Sequence, residues 1–331
     1  MDLHTGGAGL FGTHVTWEDI EEDMHRELST TASFGPNKSA RDVGDGKGFM
    51  SKLLLIEADW QYSDKELPEK FMLKVITPSV WLKFAVEATR EKNMNNRFSD
   101  ASSMAGFVAF QKNAHNAEVA SYNHLAKLPD GKVNIPKIYC MKKFTQSNPL
   151  KGYIIMEYLE NTDVDILASF SLGEVRQILR FKAILEASSI DVPPEERKQF
   201  LQAPFQAMST VFMPKEELSN TMLALRTVEG GRLAKHAGRL EEIVPELIDY
   251  EWTDKLADKL AFLSGEDRRA HWEELLEDFY CYLEEEIGNR KMPYTLEKGL
   301  EMALAKIESM LEDIFDYHDR NMKIRKGKPV V

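Results

Sequence analysis

A glycine-rich stretch, Gly44-Asp45-Gly46-Lys47-Gly48, stands immediately before an apolar run and is the first feature that could carry chemistry. Small residues let backbone N–H groups approach the oxygens of a phosphate, so Gly44, Gly46 and Gly48 are candidate contacts for a phosphorylated ligand. Asp-Gly is equally an ordinary hairpin turn, in which both central residues take positive φ. The stretch alone does not separate a phosphate-binding loop from a turn.

A lysine within an apolar strand and a glutamate on a helix face form the second candidate. Lys74 is embedded in residues 71–76, where a charge is costly unless it is paired or turned toward water, as on an edge strand. Glu118 shares a predicted helix face with Tyr122 and Leu125, so its carboxylate also needs a partner. Each charge could be the partner that the other requires. Kinases use such a pair, in which a helix glutamate positions a strand lysine, to hold the α- and β-phosphates of ATP.

The third candidate is the segment 152–160, an apolar strand that breaks into a polar connector where a β-rich half meets a helical half. In a two-lobed kinase this segment is the hinge, whose backbone hydrogen-bonds the adenine edge while apolar neighbours sandwich the ring. Met156, Glu157 and Tyr158 would then contact the nucleotide. A plain domain boundary would look much the same.

Two regions of different periodicity must position these residues. The first begins with a short helix that Thr16 caps, and then becomes β-like, with one interrupting helix over roughly 107–128. Beyond Asn161 the pattern is almost wholly helical. The predicted strands cover residues 49–56, 71–76, 137–141 and 152–158. Predicted helices begin after Ser171, Ser264 and Thr295, and Gly288 ends the second of these.

Composition narrows the function classes. The 331 residues, 43% of them hydrophobic, could fill one large domain or two well-packed lobes. A net charge of −12 opposes binding to nucleic acid. Cys140 and Cys281 lie far apart without a CxxC pair, which fits a reducing compartment and argues against a disulfide framework or a Cys-type zinc site. With no secretion signal or apolar span, we expect a cytoplasmic protein that binds neither nucleic acid nor membranes.

With these features in view, the chain closely resembles the CHK kinase-like family, relatives of the ecdysteroid, choline and aminoglycoside kinases, and especially its nematode-expanded branch. The matching stretches run over most of the chain. They are Gly12-Thr-His-Val-Thr-Trp-Glu-Asp, Ala32-Ser-Phe-Gly-Pro-Asn-Lys, Lys47-Gly-Phe-Met-Ser-Lys, Leu67-Pro-Glu-Lys-Phe, His115-Asn-Ala-Glu-Val, Lys151-Gly-Tyr-Ile-Ile-Met-Glu-Tyr, Leu263-Ser-Gly-Glu-Asp-Arg-Arg and Lys291-Met-Pro-Tyr-Thr-Leu-Glu.

The resemblance implies an α+β, protein-kinase-like bilobal fold. Its β-rich N-lobe would cover residues 1–158, a shortened and mostly helical C-lobe would cover 159–322, and a basic disordered tail would follow over 323–331. The family binds ATP and Mg²⁺ between its lobes and phosphorylates a small-molecule hydroxyl. By resemblance, Lys74 is the phosphate-binding lysine, Glu118 is its ion-pair partner, and 156–158 is the hinge.

The resemblance stops at the catalytic loop. Family members carry a His-Gly-Asp loop followed by Asn, and then an Ile-Asp-Tyr/Trp-Gln strand whose Asp holds magnesium. No His-Gly-Asp occurs in this sequence, and the place it should occupy is an abrupt junction at Leu260 and Ala261. A second abrupt joining lies near Gly299. The sequence therefore assigns no catalytic residue and no metal ligand, although the family requires Mg²⁺.

Three interpretations stay open. The chain could transfer the γ-phosphate of ATP to a small hydroxylated substrate, although losing the loop and the metal ligands removes most of the electrostatic stabilisation of such a reaction. It could be a nucleotide-binding pseudokinase or an interaction module. It could also be an incomplete product of splicing or of the gene model. We expect ATP binding by this chain to be weak or lost.

Overall fold

The computed structural model describes residues 3–44, 50–79, 81–82, 101–160, 170–200 and 265–298, together with isolated residues between 207 and 241. The chain is β-rich toward its N-terminus and helical later, so the predicted α+β class is confirmed. It divides into two compact units, Met1–Asp163 with Pro194–Ile248 and Val164–Pro193 with Asp249–Val331. The predicted boundaries after residues 158 and 322 stay predictions, and the tail 323–331 lies outside the described residues.

The first unit is built on an antiparallel sheet of five strands in the order β2-β3-β5-β7-β6, beside a two-stranded ribbon of β1 and β4. The strands are β1 (Ser33–Phe34), β2 (Ser39–Asp42), β3 (Ser51–Glu57), β4 (Trp60–Gln61), β5 (Lys70–Ile76), β6 (Ile138–Lys142) and β7 (Tyr153–Glu157). The four predicted strands correspond to β3, β5, β6 and β7, with ends that differ by at most two residues. We did not predict β2, whose Ser-Ala-Arg-Asp sequence lacks the apolar run used to find the others.

One face of this sheet is covered by helix α1 (Trp17–Leu28), which follows a short 3₁₀ turn at Leu10–Gly12. As predicted, Thr16 caps α1, and it forms a reciprocal capping box with Asp19. The buried side of α1 packs into the main core, made of Val15, Ile20, Met24, Phe34, Leu54, Ile56, Ala58, Phe71, Leu73, Val75, Cys140, Tyr153 and Ile155.

Helix α2 (Ala101–Leu125) lies on the other face of the sheet and contributes Glu118. The prediction of 107–128 was wrong at both ends. The first turns, Ala-Ser-Ser-Met-Ala-Gly, contain a single large apolar residue and therefore no apolar period, so their helical state was not visible in the sequence. Residues after Leu125 form turns.

In the second unit, helices α3 (Leu172–Ser189) and α5 (Gly265–Ile287) pack together, and the short helix α4 (Pro194–Arg197) belongs to the first unit. Ser171 caps α3 with a capping box, as predicted. Arg176 bonds to Asp278 at 2.7 Å and Arg290 bonds to Asp191 at 2.6 Å. Because these contacts advance in the same direction along both helices, α3 and α5 run parallel.

The predicted stop and start signals of the second unit are also visible. Gly288 has φ +60° and follows α5 directly, which is the position of a helix-ending glycine. The Thr295 hydroxyl accepts a hydrogen bond from the backbone N–H of Lys298 at 3.3 Å, as an N-cap residue does. None of the helices in the described part of the chain combines the length and apolarity needed to cross a membrane.

Candidate functional site

Lys74 stands at the centre of the five-stranded sheet. It lies on β5, the third strand, and pairs with Leu53 of β3 on one side and Ile154 of β7 on the other. Its ammonium nitrogen Nζ is 2.7 Å from both carboxylate oxygens of Glu118 on α2. The alternative of an edge-strand lysine is therefore wrong, while the phosphate-binding role of Lys74 stays a prediction.

Alternation along β5 sends the Lys74 side chain toward α2. Its neighbours Leu73 and Val75 are buried in the core beneath α1, and successive strand residues point to opposite faces. The Lys74 and Glu118 side chains keep 24% and 28% of their surface exposed. A pair of this kind adds little stability, but it fixes the direction of an accessible cation. The arrangement can therefore present an oriented ammonium to an anionic ligand.

Two residues just before Glu118 hold α2 against the end of β6. Asn116 makes a two-way contact with the backbone of Phe144: its amide donates to the carbonyl at 2.9 Å, and its Oδ1 accepts from the N–H at 2.9 Å. Nε2 of His115 lies 2.9 Å from the carbonyl oxygen of Lys142, and the imidazole meets the Phe144 ring edge-on at 5.4 Å. These contacts fix the part of α2 that carries Glu118.

The protonation state of His115 follows from its surroundings. The residue is 1% exposed, and burial lowers the pKa of its imidazole below the ordinary value of 6.5. A carbonyl oxygen only accepts, so Nε2 carries the proton and donates it to Lys142. Nδ1 then carries a lone pair, and none of the described residues donates a hydrogen bond to it. His115 is a neutral structural contact at pH 7.

The glycine-rich stretch connects β2 to β3, which are antiparallel neighbours, so it occupies a hairpin connection. Gly44 is buried, and its N–H donates to Oδ1 of Asp42 at 3.1 Å. A Cβ at Gly44 would lie 3.1 Å from the Cβ of Leu53, which is closer than an ordinary contact, so a larger residue there would have to displace Leu53. Gly46 and Gly48 lie outside the described residues, so the choice between a turn and a phosphate loop stays open.

The predicted hinge begins in the last residue pairs between β5 and β7. Met156 pairs with Met72 and Glu157 pairs with Phe71, while Tyr158 follows the last ladder pair. The N–H of Glu157 donates to the carbonyl of Lys137 at 2.8 Å, so this group is already used within the sheet. All three hinge residues are half-buried. Met156 and Glu157 lie on β7, which is the strand next to Lys74 on β5, and Tyr158 follows β7 directly.

A comparison with protein families identifies one match. The model of the family DUF1679, described as "Uncharacterized oxidoreductase dhs-27", matches residues 3–262 and 259–302 of this chain. The chain belongs to this family. No curated protein and no solved structure matches it.

The DUF1679 match is divided in two, and its parts meet at residues 259–262. The two segments overlap by four residues, and together they cover the chain from residue 3 to residue 302. The junction predicted from the sequence, at Leu260 and Ala261, falls inside the same four residues. Both junction residues, and Gly299 at the second predicted joining, lie outside the described residues.

The residues that hold α2 in place were not predicted. Gln111, His115 and Asn116 are polar residues in a predicted helix, and a solvent-facing helix surface would have the same composition. Their signal was the spacing: Gln111, His115 and Glu118 follow the i, i+4, i+7 rule and therefore share one face. Polar residues that share a face with an inward-pointing carboxylate are candidates for buried contacts.

Proposed function

We propose that this chain is a kinase-like nucleotide-binding protein that binds ATP through Lys74 and does not carry out efficient phosphotransfer. One observation carries the proposal: an ammonium on the central strand of an antiparallel sheet is held at 2.7 Å by both oxygens of a helix carboxylate. Protein kinases use this lysine–glutamate pair to engage the α- and β-phosphates. In this proposal, Glu118 orients Lys74, and residues 156–158 contact the adenine.

The family description names an oxidoreductase, so a nicotinamide or flavin dinucleotide is the competing ligand. Dinucleotide-binding folds place a glycine fingerprint between a strand and a helix of a parallel sheet. Here the glycine-rich stretch joins two antiparallel strands, and the whole five-stranded sheet is antiparallel. These features favour a nucleoside triphosphate over a dinucleotide.

The proposal of inefficient transfer rests on the sequence around residue 260. No His-Gly-Asp is present, and the two parts of the family match meet at this point. The described residues include no group of three or more His, Cys, Asp or Glu side chains that could hold a metal ion. No stretch of the sequence matches the His-Gly-Asp loop or the magnesium-binding Asp strand of the CHK kinase-like family, so the proposal stops at nucleotide binding.

A cytoplasmic location is part of the proposal, and it rests on the cysteines. Cys140 and Cys281 are both free thiols. Burial, with the nearby charge of Asp23, raises the pKa of Cys140 to about 12, so this thiol stays protonated and unreactive. Two unpaired cysteines are typical of a reducing compartment. If the chain did transfer phosphate, its resemblance to the CHK kinase-like family implies a small hydroxylated molecule as the acceptor.

Thermal denaturation with millimolar ATP tests the proposal. A ligand that binds only the folded chain stabilises it by RT ln(1 + [L]/Kd), about 1.4 kcal/mol at ten times Kd, which raises Tm by roughly 2–4 °C. We expect this rise with ATP and a smaller one with NADPH. Lys74→Ala should abolish the ATP effect, because it removes the cation that contacts the phosphates.

Lys70→Ala is the matched control. Lys70 lies on the same strand and pairs with Glu57 at 3.3 Å, but its side chain is 48% exposed and distant along the strand from Lys74. The ATP effect should persist in this variant. No change of Tm with ATP in the wild-type chain would refute nucleotide binding and leave the interaction module or the incomplete product. A larger rise with NADPH than with ATP would favour the redox function.

A further inference from the structure

Gln111 is a buried polar side chain on α2 that joins the helix to two strand ends. It is 1% exposed, and its amide nitrogen Nε2 donates to the carbonyl oxygen of Met50 at 3.1 Å and to that of Thr77 at 3.3 Å. Met50 precedes β3, and Thr77 follows β5 directly. One amide therefore ties the beginning of β3 and the end of β5 to the helix.

The orientation of this amide is fixed by its partners. Both N–H groups of Nε2 are used, and both partners are carbonyls, which only accept. The flipped amide would place its oxygen against two carbonyl oxygens, which is repulsive. Its Oε1 has no donor among the described residues. The position of the Gln111 amide is therefore set by the two hydrogen bonds that its Nε2 donates.

Gln111 and Glu118 lie on the same face of α2. They are seven residues apart, about 10 Å along the helix axis and nearly two full turns, so they point in nearly the same direction. The contacts of His115 and Asn116 with residues 142 and 144 lie between them. A rotation of α2 that broke the bonds of Gln111 would also turn Glu118 away from Lys74.

We propose that Gln111 is a positioning residue that acts through Glu118. It holds the rotation of α2 at which the carboxylate meets the Lys74 ammonium. It also ties that rotation to the strand that follows the glycine-rich stretch, because Met50 is separated from Gly48 by one residue. The part of the proposal that concerns nucleotide rests on the proposed function, whereas the part that concerns the Lys74–Glu118 pair does not.

Chemical labelling of the free chain tests the pair directly. A small amine-reactive ester acylates Lys74 faster when the ammonium is released from its carboxylate, and mass spectrometry gives its rate relative to the exposed Lys70. Gln111→Met keeps the length of the side chain and removes the amide. We expect it to raise the Lys74 to Lys70 ratio by about two- to fivefold, the range of a partly exposed ion pair. Glu118→Gln sets the upper limit of the ratio.

Asn113→Met is the matched control, because Asn113 is an exposed neighbour on the same helix, and its ratio should equal that of the wild type. Gln111→Asn keeps an amide that is one methylene too short to reach both carbonyls, and it serves if Gln111→Met does not fold. A wild-type ratio in whichever of these two variants is folded would overturn the proposal. So would an equal rise in Asn113→Met, since the effect would then be unspecific.

ATP titration adds a second readout that a purely structural role would not move. If Gln111 acts through Glu118, Gln111→Met weakens ATP binding in the wild-type background and has no further effect in Glu118→Gln. Fully additive losses would contradict the proposal. If the wild-type chain shows no ATP effect, the proposed function fails, and the labelling ratio alone decides the role of Gln111.

Discussion

Asp23 is the charged side chain that α1 sends into the core of the first unit, where it is 1% exposed. It accepts a hydrogen bond from the Tyr153 hydroxyl and one from Arg26 at 2.7 Å, and it lies 3.3 Å from Nζ of Lys142. Burial alone would raise the pKa of Asp23, but the hydrogen bonds and the two cations outweigh it, so this pKa lies below its ordinary value of 3.8. The carboxylate thus joins α1 to β6 and β7.

Replacing Asp23 by Asn should destabilise the chain by about 1–3 kcal/mol, because it removes the charged acceptor of the buried Tyr153 hydroxyl and weakens the contacts of Arg26 and Lys142. It should also change the pH dependence. The pKa of Asp23 is lower in the folded than in the unfolded chain, so its contribution is present above about pH 4 and is lost as the pH falls through the folded pKa. Carboxylates titrate between about pH 5 and pH 3. Over this range, the unfolding free energy of the variant should therefore fall less than that of the wild type.

Glu27→Gln is the control for this measurement by denaturant titration. Glu27 bonds to the same Arg26 at 2.9 Å, but its side chain is 40% exposed, so its loss should cost about 0.5 kcal/mol or less. Equal effects of the two substitutions would show that burial does not set the strength of the Asp23 contacts.

At the scale of elements, the first unit depends on how closely β7 approaches the end of β6. Phe144 follows β6, and its ring lies against Gly152 so closely that a Cβ at residue 152 would overlap it. The same ring meets His115 of α2 edge-on. Gly152→Ala should therefore displace Phe144 and destabilise the chain by about 1–3 kcal/mol, measured by denaturant titration.

Gly106 provides the opposite case within α2. It is exposed, and a Cβ there would meet nothing within 4 Å. Gly106→Ala should stabilise the chain by up to about 1 kcal/mol, because alanine is the better helix former. Similar changes of stability in the two alanine variants, in either direction, would contradict the close contact assigned to Gly152.

The elements also show what could be predicted from the sequence. Continuous apolar runs identified β3, β5, β6 and β7, and the placement of Lys74 inside one of them predicted its contact with Glu118. The edge strand β2 was missed because its alternate residues face water, and the beginning of α2 was missed because small residues carry little periodic signal. Gln111 was missed for a different reason: its partners are carbonyls of distant strand ends, and only tertiary structure brings them together.

At the scale of the whole molecule, ATP binding and phosphate transfer would depend on different parts of the chain. The residues proposed to hold ATP, Lys74, Glu118 and 156–158, all lie in the first unit. The loop that would position an acceptor and the strand that would hold magnesium have no counterpart in the sequence. Because phosphotransfer depends on positioning and charge stabilisation together, a chain with only the first part should bind nucleotide without turning it over.

We therefore expect no ATP consumption above a protein-free blank when the chain is incubated with ATP, Mg²⁺ and a panel of small hydroxylated compounds. The Lys74→Ala variant should give the same background as the wild type. Consumption that requires one added compound and disappears in Lys74→Ala would contradict this, since it would demand a base and metal ligands that the sequence does not reveal. Sequencing the transcript across the codons for Leu260 and Ala261 completes the test. If the two codons are adjacent in the transcript, the natural chain lacks the catalytic loop and is itself inactive. If additional codons encoding His-Gly-Asp lie between them, only the shortened form is inactive.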